Sequence, residues 1–334
     1  MIQRLSLFLV VVLFSLQAGC SKKSAETSAD AAGKAQADNK IVVQLDWIPE
    51  PEHGGLYQAQ AKGFFAAEGL DVVLLPGGTN VNPTQNCATG RANIAQADST
   101  NTIVVINNQD LPIIQVAAVF QEDPSALMLH PDNPVNRFED LNGKTLMARP
   151  QWAFLPYLKK KYGINFQLTP QSFSSATFVA NKDTIQQGYP IAEPYHIMKA
   201  GGPMPKFLFA HDAGFDAYAV LIANRDWAAK HPNQLRAFLR AYIKGWNDYL
   251  EGDPAPAHEA LKKANVNNTD DFMAFSRKMI IDERLVTGRS GASQTGRLSK
   301  ERFAAQIKQL EDLGIIQPPG KLTVDRVMTT EYLP

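Results

Sequence analysis

Apolar and polar residues follow one another, from about residue 41 onward, in runs that predict strands and helices in turn. KIVVQLDW is typical of a strand, and GGLYQAQAKGFFAAEG carries apolar residues at helical spacing up to Gly69. LDVVLLPGG predicts the next strand, and the alternation continues through NPTQNCATGRANIAQAD, TNTIVVINNQ and LPIIQVAAVFQED. This order predicts an α/β fold with a mostly parallel sheet and flanking helices, in which ligands collect at the carboxyl ends of the strands.

The pattern changes near Asp123 and predicts a second lobe inserted into the first. A new series of strands and helices begins there and includes the strand KTLMA and the helix AFLPYLKKKYG. From Pro232 the chain is helical, and NQLRAFLRAYIKGWNDYLEGDP places its apolar residues on one face. We predict lobe 1 at residues 41–124 and 222–334 and lobe 2 at residues 125–221. The C-terminal helices should pack on lobe 1.

The first 40 residues predict export. MIQRLSLFLVVVLFSLQAGC has a basic start and an apolar run that is too short for a permanent membrane helix, so residues 1–19 are interpreted as a cleavable signal peptide rather than an anchor. LQAGC resembles a bacterial lipobox, in which Cys20 becomes the first mature residue and carries lipid. Residues 20–40 lack large apolar side chains and predict a flexible linker. We therefore expect a lipid-anchored protein facing the periplasm or the cell surface.

Composition excludes several classes of function. Acidic and basic residues balance at 33 each without a basic block, which argues against nucleic acid as a partner. Beyond Cys20 the only cysteine is Cys87, so neither an intramolecular disulfide nor a multi-cysteine metal site is expected. The six histidines are scattered without ligand spacing, and no GxSxG motif or nucleophilic Cys/His pair is found. We predict no metal, no cofactor and no enzymatic activity.

The loop LDWIPEPEH carries the first candidate chemistry. Pro49 and Pro51 restrict its backbone, which would keep neighbouring side chains presented in the absence of ligand. Its acidic residues, Glu50 and Glu52, could accept hydrogen bonds or remain a solvated turn. His53, next to two glycines, could contact ligand or cap the following helix.

Several segments together identify the chain as similar to the NMT1/THI5-like family of ABC-transporter substrate-binding proteins. LDWIPEPEHGGLYQAQAKGFFAAEGLDV resembles the family's opening motif, and DLNGKT, QQGYPIAEPYHI, GFDAYAV and HPNQLRAFLRAYIKGWNDYL follow in the family's order. The resemblance implies a two-lobe periplasmic-binding-protein fold of type II. It also implies a small-molecule ligand and delivery to an ABC permease and ATPase complex, by a chain that we expect to be monomeric. The ligand-contacting positions that it implies are Trp47, Tyr57, Asp98, Gln151, Trp152, Glu193 and Tyr195.

These positions favour a flat, nitrogen-containing solute. Trp47, Trp152, Tyr57 and Tyr195 could form aromatic walls. Carboxylates such as Glu193 would accept hydrogen bonds from an amino-substituted ring, as in a pyrimidine precursor of thiamine.

Other ligands and functions remain open at this point. Arg149 could clamp an organic anion, since more distant relatives carry sulfonates, taurine or nitrate, or it could pair with Glu193 across the cleft. Some relatives resemble pyrimidine synthases that consume a histidine of their own chain. A sensor lipoprotein with the same fold is a further alternative.

Overall fold

Two five-stranded sheets organise the chain in the computed structural model, which describes residues 39–172, 174–289 and 293–334. Lys40–Pro334 form one compact unit. The strands are β1 (Lys40–Gln44), β2 (Asp71–Leu75), β3 (Ile94–Asp98), β4 (Ile113–Phe120), β5 (Ala126–Leu129), β6 (Thr145–Met147), β7 (Gln167–Thr169), β8 (Ile185–Gly188), β9 (Lys206–Phe209) and β10 (Ala219–Asn224). The predicted signal peptide, the lipidation site at Cys20 and nearly all of the linker lie outside the described residues.

Helices cover both lobes and dominate the C-terminal third of the chain. They are α1 (Gly54–Ala61), α2 (Phe64–Ala67), α3 (Pro83–Ala88), α4 (Ser99–Gln109), α5 (Phe154–Tyr162), α6 (Ser175–Ala180), α7 (Glu193–Lys199), α8 (Arg225–Lys230), α9 (Pro232–Glu251), α10 (Ala255–Ala264), α11 (Asp270–Asp282), α12 (Lys300–Asp312) and α13 (Val324–Val327). Among the described residues, none of the helices combines the length and the apolar character needed to cross a bilayer.

Each sheet contains one strand that runs against the other four. The first has the order β2-β1-β3-β10-β4 and the second β7-β6-β8-β5-β9. In the first sheet β10 is antiparallel to β3 and β4, and in the second β5 is antiparallel to β8 and β9. Both exceptions stand where the chain enters a sheet after crossing from the other. The predicted α/β fold with two mostly parallel sheets is confirmed.

The chain crosses between the lobes twice, once after β4 and once between β9 and β10. All six residues of β10 pair with strands of the first sheet. The predicted second boundary, at residue 222, therefore falls inside a strand, and the crossing ends before Ala219. No break is visible in the sequence at this point, because Tyr218 and the strand that follows form one continuous apolar run.

The C-terminal helices pack on the first lobe, as expected. Helix α9 lies against α1, and α12 lies against α4. The predicted single helix over GGLYQAQAKGFFAAEG is divided into α1 and α2, because Gly63 adopts a φ of 70° between them. The loop at residues 45–53 leads directly into α1, and its last turn also contacts α11.

Candidate functional site

A cleft between the lobes is lined by side chains that lie at or just beyond the ends of strands in both sheets. Two adjoining cavities occupy it. The first chamber, with about 590 Å³ of empty space including some open solvent, is lined by Asp46, Trp47, Glu50, Glu52, Arg149, Gln171, Gln187, Gly188, Tyr189, Ala192 and Glu193. The second chamber shares Asp46, Trp47, Arg149, Gln171 and Tyr189 with the first and is further lined by residues that include Gln96, Asp98, Asn101, Asp123, Gln151 and Tyr218.

Hydrogen bonds at both ends hold the loop that presents Trp47. The carbonyl of Trp47 accepts a hydrogen bond from Gly77 N–H at 2.8 Å. The carbonyl of Pro49 accepts one from the Asn268 amide at 2.8 Å, which ties the loop to the C-terminal helices. The guanidinium carbon of Arg149, from the second lobe, lies 5.5 Å from the centre of the Trp47 ring. The half-buried indole is thus fixed at the junction of the two chambers.

Four carboxyl groups converge on the first chamber, those of Asp46, Glu50, Glu52 and Glu193. Burial raises the pKa of Glu50 to about 8, and the charge of Glu193 acts in the same direction. Burial also raises the pKa of Glu52 and the pKa of Glu193. Glu193 is the first residue of α7, and its Oε2 accepts a hydrogen bond from Tyr189 N–H at 2.8 Å.

His53 lies behind the first chamber rather than on its wall. It is 1% exposed, and its Nε2 lies 3.1 Å from Asp46 Oδ1. Burial lowers its pKa, but the hydrogen bond to Asp46 and the charge of Glu52 outweigh this effect and leave the pKa raised. Glu50 N–H lies 3.3 Å from Nδ1 of the same ring. Asp46, Glu52 and His53 place atoms that could coordinate a metal ion within 4.8 Å of one another. Because both nitrogens of the His53 ring already have partners, we interpret this group as support for the loop.

Tyr57 and Trp152 belong to the core and add no wall to the cleft. Tyr57 is 6% exposed within the core of the first lobe. Trp152 is 4% exposed, and its ring centre lies 4.8 Å from that of Phe154. Neither ring lines either chamber, so the expectation that they contact ligand stays a prediction without support from the cleft. By contrast Gln151, the neighbour of Trp152, is exposed and lines the second chamber.

Tyr195 lies outside both chambers and joins the lobes instead. Its hydroxyl is 3.0 Å from that of Thr269, and its ring packs 5.1 Å from Phe272, both in the C-terminal part of lobe 1. One turn along α7, the Lys199 ammonium lies 2.6 Å from Asp271. These contacts form an interlobe bridge close to the first chamber.

The remaining expected positions line the cleft, together with residues that the sequence did not single out. Trp47, Glu50 and Glu193 line the first chamber, whereas Asp98 lines the second and caps α4 by accepting a hydrogen bond from Asn101 N–H at 2.7 Å. Sequence reasoning missed, among others, Asp46, Gln96, Asp123, Gln171, Gln187 and Tyr189. Most of these lie at or just beyond the end of a strand, so the rule that ligands meet strand ends could have found them.

The raised pKa of Glu50 predicts that the protein becomes less stable as pH rises. In the unfolded chain Glu50 ionises near pH 4.5, whereas in the folded protein it keeps its proton up to about pH 8. The folded state binds more protons over this window, so the free energy of unfolding falls from about pH 5 to pH 8. After a discount for partial exposure, we expect Glu50 to contribute about 2 kcal/mol to the fall.

Urea unfolding of the wild type and the Glu50→Gln variant between pH 5 and pH 8.5 measures this effect. Gln cannot ionise, so the variant should have a flatter pH profile and should be more stable than the wild type at pH 8. Glu139→Gln, at an exposed position of lobe 2, is the matched control. Equal slopes for Glu50→Gln and Glu139→Gln would show that Glu50 is not the group responsible.

The fold is that of periplasmic binding proteins. The structure of the periplasmic aliphatic sulphonate binding protein SsuA from Escherichia coli superposes with a TM-score of 0.63 at 12% sequence identity. The match covers 86% of this chain and 91% of that one. At 12% sequence identity, this structural similarity establishes the fold but does not identify the ligand.

Curated relatives are more similar in sequence. The formylaminopyrimidine-binding protein of Halalkalibacterium halodurans is 27% identical, with 68% of this chain and 71% of the relative covered. The riboflavin-binding protein RibY of Chloroflexus aurantiacus is 26% identical, with 73% and 74% covered. At the same 26% identity stands the 4-amino-5-hydroxymethyl-2-methylpyrimidine phosphate synthase THI11 of Saccharomyces cerevisiae, with 72% and 76% covered.

A family model confirms the relationship that the opening motif suggested. The model described as NMT1/THI5 like matches residues 50–257, more than half of the chain's 334 residues. The matched segment contains the acidic loop after Trp47, all of lobe 2 and the start of the C-terminal helices. This chain belongs to the NMT1/THI5-like family.

Proposed function

We propose that this protein is the solute-binding component of an ABC importer and that its lobes close on a small, flat, nitrogen-containing solute. The observation that carries the proposal is the first chamber, where Trp47 and four carboxyl groups line one cavity between the lobes. An indole offers a flat apolar surface, and stacking against it contributes roughly 0.5–1.5 kcal/mol beyond burial. Carboxyl groups provide the polar partners that orient such a ring.

The raised carboxyl pKa values suit an amino-substituted heterocycle. At neutral pH Glu50 retains its proton, so its carboxyl can donate one hydrogen bond to a ring nitrogen and accept another from an adjacent amino group. Ionised carboxylates in the same chamber would accept charge-assisted hydrogen bonds from further N–H groups, which are roughly twice as strong as neutral ones. An aminopyrimidine offers both kinds of partner side by side.

The same charges oppose an anionic ligand. Among the described lining residues of the first chamber, Arg149 is the sole cationic side chain beside Asp46, Glu50, Glu52 and Glu193. A sulfonate or nitrate enclosed there would be repelled by those of the carboxyl groups that are ionised, in a medium of low dielectric constant. Organic anions are the second candidate class, because the Arg149 side chain lines both chambers.

Relatives support the solute class. Two of them are named for binding a formylaminopyrimidine and riboflavin, and both ligands contain flat rings rich in nitrogen. Synthases of a pyrimidine phosphate are similar to this chain at nearly the same identity, so the family includes enzymes as well. We propose binding without conversion, and the thiamine-precursor pyrimidines are the first ligands to test.

Closure of the two lobes would bury the ligand, and a membrane permease would recognise the closed form. Tyr195 and Lys199 of lobe 2 contact Thr269 and Asp271 of lobe 1, so movement of one lobe against the other would change this interlobe bridge. We further propose that the protein acts as a monomer, exported and held at the membrane by lipid on Cys20, which would keep it near its permease and ATPase.

A thermal-shift panel tests the proposed ligand class. The purified protein is heated with 4-amino-5-hydroxymethyl-2-methylpyrimidine, cytosine, benzenesulfonate, taurine and nitrate, and mass spectrometry then checks whether each compound is recovered unchanged. An aminopyrimidine at 100 times its dissociation constant should add about 2.7 kcal/mol of stability. Benzenesulfonate is the matched control, because it is flat but anionic.

We expect shifts from the aminopyrimidines, none from the anions, and recovery of every compound intact. Stabilisation by benzenesulfonate, taurine or nitrate alone would instead identify an anion-binding protein with Arg149 as the clamp. Conversion of a pyrimidine into a new product would replace binding by synthesis as the function.

A further inference from the structure

Large apolar side chains are buried between the lobes, outside both chambers. Ile191, which follows β8 of lobe 2, is 1% exposed and belongs to an apolar cluster whose other buried members all come from lobe 1. Phe272 of lobe 1 is also 1% exposed. Its ring lies 5.1 Å from that of Tyr195 and 4.9 Å from that of His196, both on α7 of lobe 2. Separation of the lobes would therefore return apolar surface to water, which is unfavourable.

Polar groups of the interlobe bridge join the same two helices, α7 and α11. The Tyr195 hydroxyl lies 3.0 Å from the Thr269 hydroxyl, and the Lys199 ammonium lies 2.6 Å from the Asp271 carboxylate. The hydrogen bond to Lys199 is the largest of several effects that hold the pKa of the Asp271 carboxyl below its usual range. Both members of this pair are therefore charged at neutral pH.

The two crossings of the chain are tied together at a different place. Arg302 of α12 donates to the Gln121 carbonyl at 3.0 Å, in the first crossing, and to the Asp216 carboxylate at 2.9 Å, in the second. Hinge motion is absorbed by a few residues of the connecting segments, so contacts at the crossings can persist while the lobes separate. The interlobe bridge joins parts of the lobes that no crossing connects, so its contacts must break when the lobes open.

Helix α7 links the interlobe bridge to the first chamber. It begins at Glu193, which lines the chamber, and it ends at Lys199. On the other side of the bridge, α11 contacts the turn Pro51–His53, whose Glu52 lines the same chamber. Tyr195 and Lys199 line neither chamber. Any effect of these two side chains on a ligand would therefore act through the position of the lobes.

We propose that the interlobe bridge is a latch that holds the lobes closed and sets the rate of ligand release. Tyr195 and Lys199 are positioning residues, which keep Glu193 of lobe 2 in the same chamber as Trp47 of lobe 1. This inference rests on the proposed function, because a latch has a role only if the lobes close on a solute. A solute leaves when the lobes separate, so release slows by the factor by which the bridge disfavours opening.

Exchange of the two charges tests the latch. Lys199→Glu and Asp271→Lys each place like charges across the bridge, and the double variant restores an opposite pair. Stopped-flow tryptophan fluorescence follows release of 4-amino-5-hydroxymethyl-2-methylpyrimidine. We expect each single variant to release it about fivefold faster than the wild type and the double variant to return to within about twofold. Tyr195→Ala, which removes the ring contacts, should release it about tenfold faster.

Small-angle X-ray scattering of the protein without ligand tests the latch independently of the ligand's identity. Lys199→Glu, Asp271→Lys and Tyr195→Ala should each have a larger radius of gyration than the wild type, because their lobes separate more often. The charge-exchanged double variant should return to the wild-type radius.

Lys182→Glu and Asp270→Lys are the matched controls. Lys182 pairs with Asp132 inside lobe 2, and Asp270 pairs with Lys262 inside lobe 1. Each control reverses one charge of an exposed ion pair that does not join the lobes, so release and radius of gyration should stay at the wild-type values. Thermal unfolding of every variant checks that it folds and measures any loss of stability.

Two results would overturn the inference. The first is wild-type release and wild-type scattering in all three single variants of the bridge, with a loss of thermal stability at most, which would make the bridge purely structural. The second is faster release that the double variant does not restore or that Asp270→Lys reproduces. Failure of the wild type to bind any aminopyrimidine would contradict the proposed function instead, and scattering alone would then decide whether the bridge holds the lobes together.

Discussion

The Gly245→Ala variant is expected to lose about 3 kcal/mol of unfolding free energy, a large fraction of the stability of an ordinary domain. A Cβ atom at this position would lie 2.3 Å from the Gly55 carbonyl oxygen and 2.7 Å from Ala59 Cβ. Both atoms belong to the buried helix α1, so neither can move aside as the end of a flexible side chain would. The backbones of α1 and α9 approach closely here only because glycine stands at the crossing.

Helix propensity alone predicts the opposite sign. Alanine in place of glycine inside a helix normally stabilises it by roughly 0.5–1 kcal/mol. The Asn247→Ala variant, at a half-buried position of the same helix, serves as the control and should change stability little. Denaturant unfolding of both variants measures the difference. A Gly245→Ala protein as stable as the wild type would mean that α1 and α9 can separate without cost.

This packing matters for the site because α1 continues directly from the loop that carries Trp47. A Cβ at Gly55 would lie 2.3 Å from the Trp246 ring, so α1 is seated on α9 at more than one point. Displacement of α1 would move His53 and with it the hydrogen bond to Asp46. We therefore expect ligand affinity to fall together with stability in the Gly245→Ala protein.

The sequence predicted the elements of the fold well because their signals are local. Apolar periodicity and glycine stops placed most strands and helices, and the rule of strand ends placed the cleft. Gly63 was not predicted to divide α1 from α2. The direction of β10 was also not predicted, because the same apolar run suits a parallel or an antiparallel strand. The direction of β10 depends on how the chain crosses between the lobes, and a short segment of sequence carries no signal of that crossing.

The direction of individual side chains was the least predictable feature of the site. Gln151 and Trp152 are neighbours in the chain, yet one lines the cleft and the other packs against Phe154. The family resemblance implied ligand contact for both. The proximity of Asp98 and Asp123 was equally hidden, since residues that are far apart in the chain meet only after β3 and β4 join one sheet. In the fold their charges interact, and burial with the nearby Asp98 raises the pKa of Asp123 to about 7.

Two single substitutions in the first chamber should each weaken binding of an aminopyrimidine by about 100-fold, which corresponds to about 2.7 kcal/mol. Glu193→Gln keeps the shape of the side chain and an oxygen that can accept from Tyr189 N–H. It removes the carboxylate, and hydrogen bonds to charged groups are worth about 1.5–3 kcal/mol. Trp47→Ala removes the flat wall and its contact with the Arg149 guanidinium, and with them the stacking and burial of the ring.

Neither change should unfold the protein. Glu193→Gln removes a charge whose burial is costly, as its raised pKa shows, so the variant should be at least as stable as the wild type without ligand. Calorimetric titration gives the affinities, and thermal unfolding without ligand gives the stabilities. Matched controls are Glu139→Gln in lobe 2 and Trp227→Ala in lobe 1, whose side chains line neither chamber.

Comparison of the four variants separates the loss of a ligand contact from a general loss of stability. If Trp227→Ala weakens binding as much as Trp47→Ala does, the indole acts through general stability, and contact with the ligand is rejected. If Glu193→Gln binds aminopyrimidines like the wild type, the ring is oriented by other groups, and Glu50 becomes the first carboxyl to replace. We expect all four variants to fold and only Trp47→Ala and Glu193→Gln to lose affinity. That result requires that the indole of lobe 1 and the carboxylate of lobe 2 contact the same bound molecule.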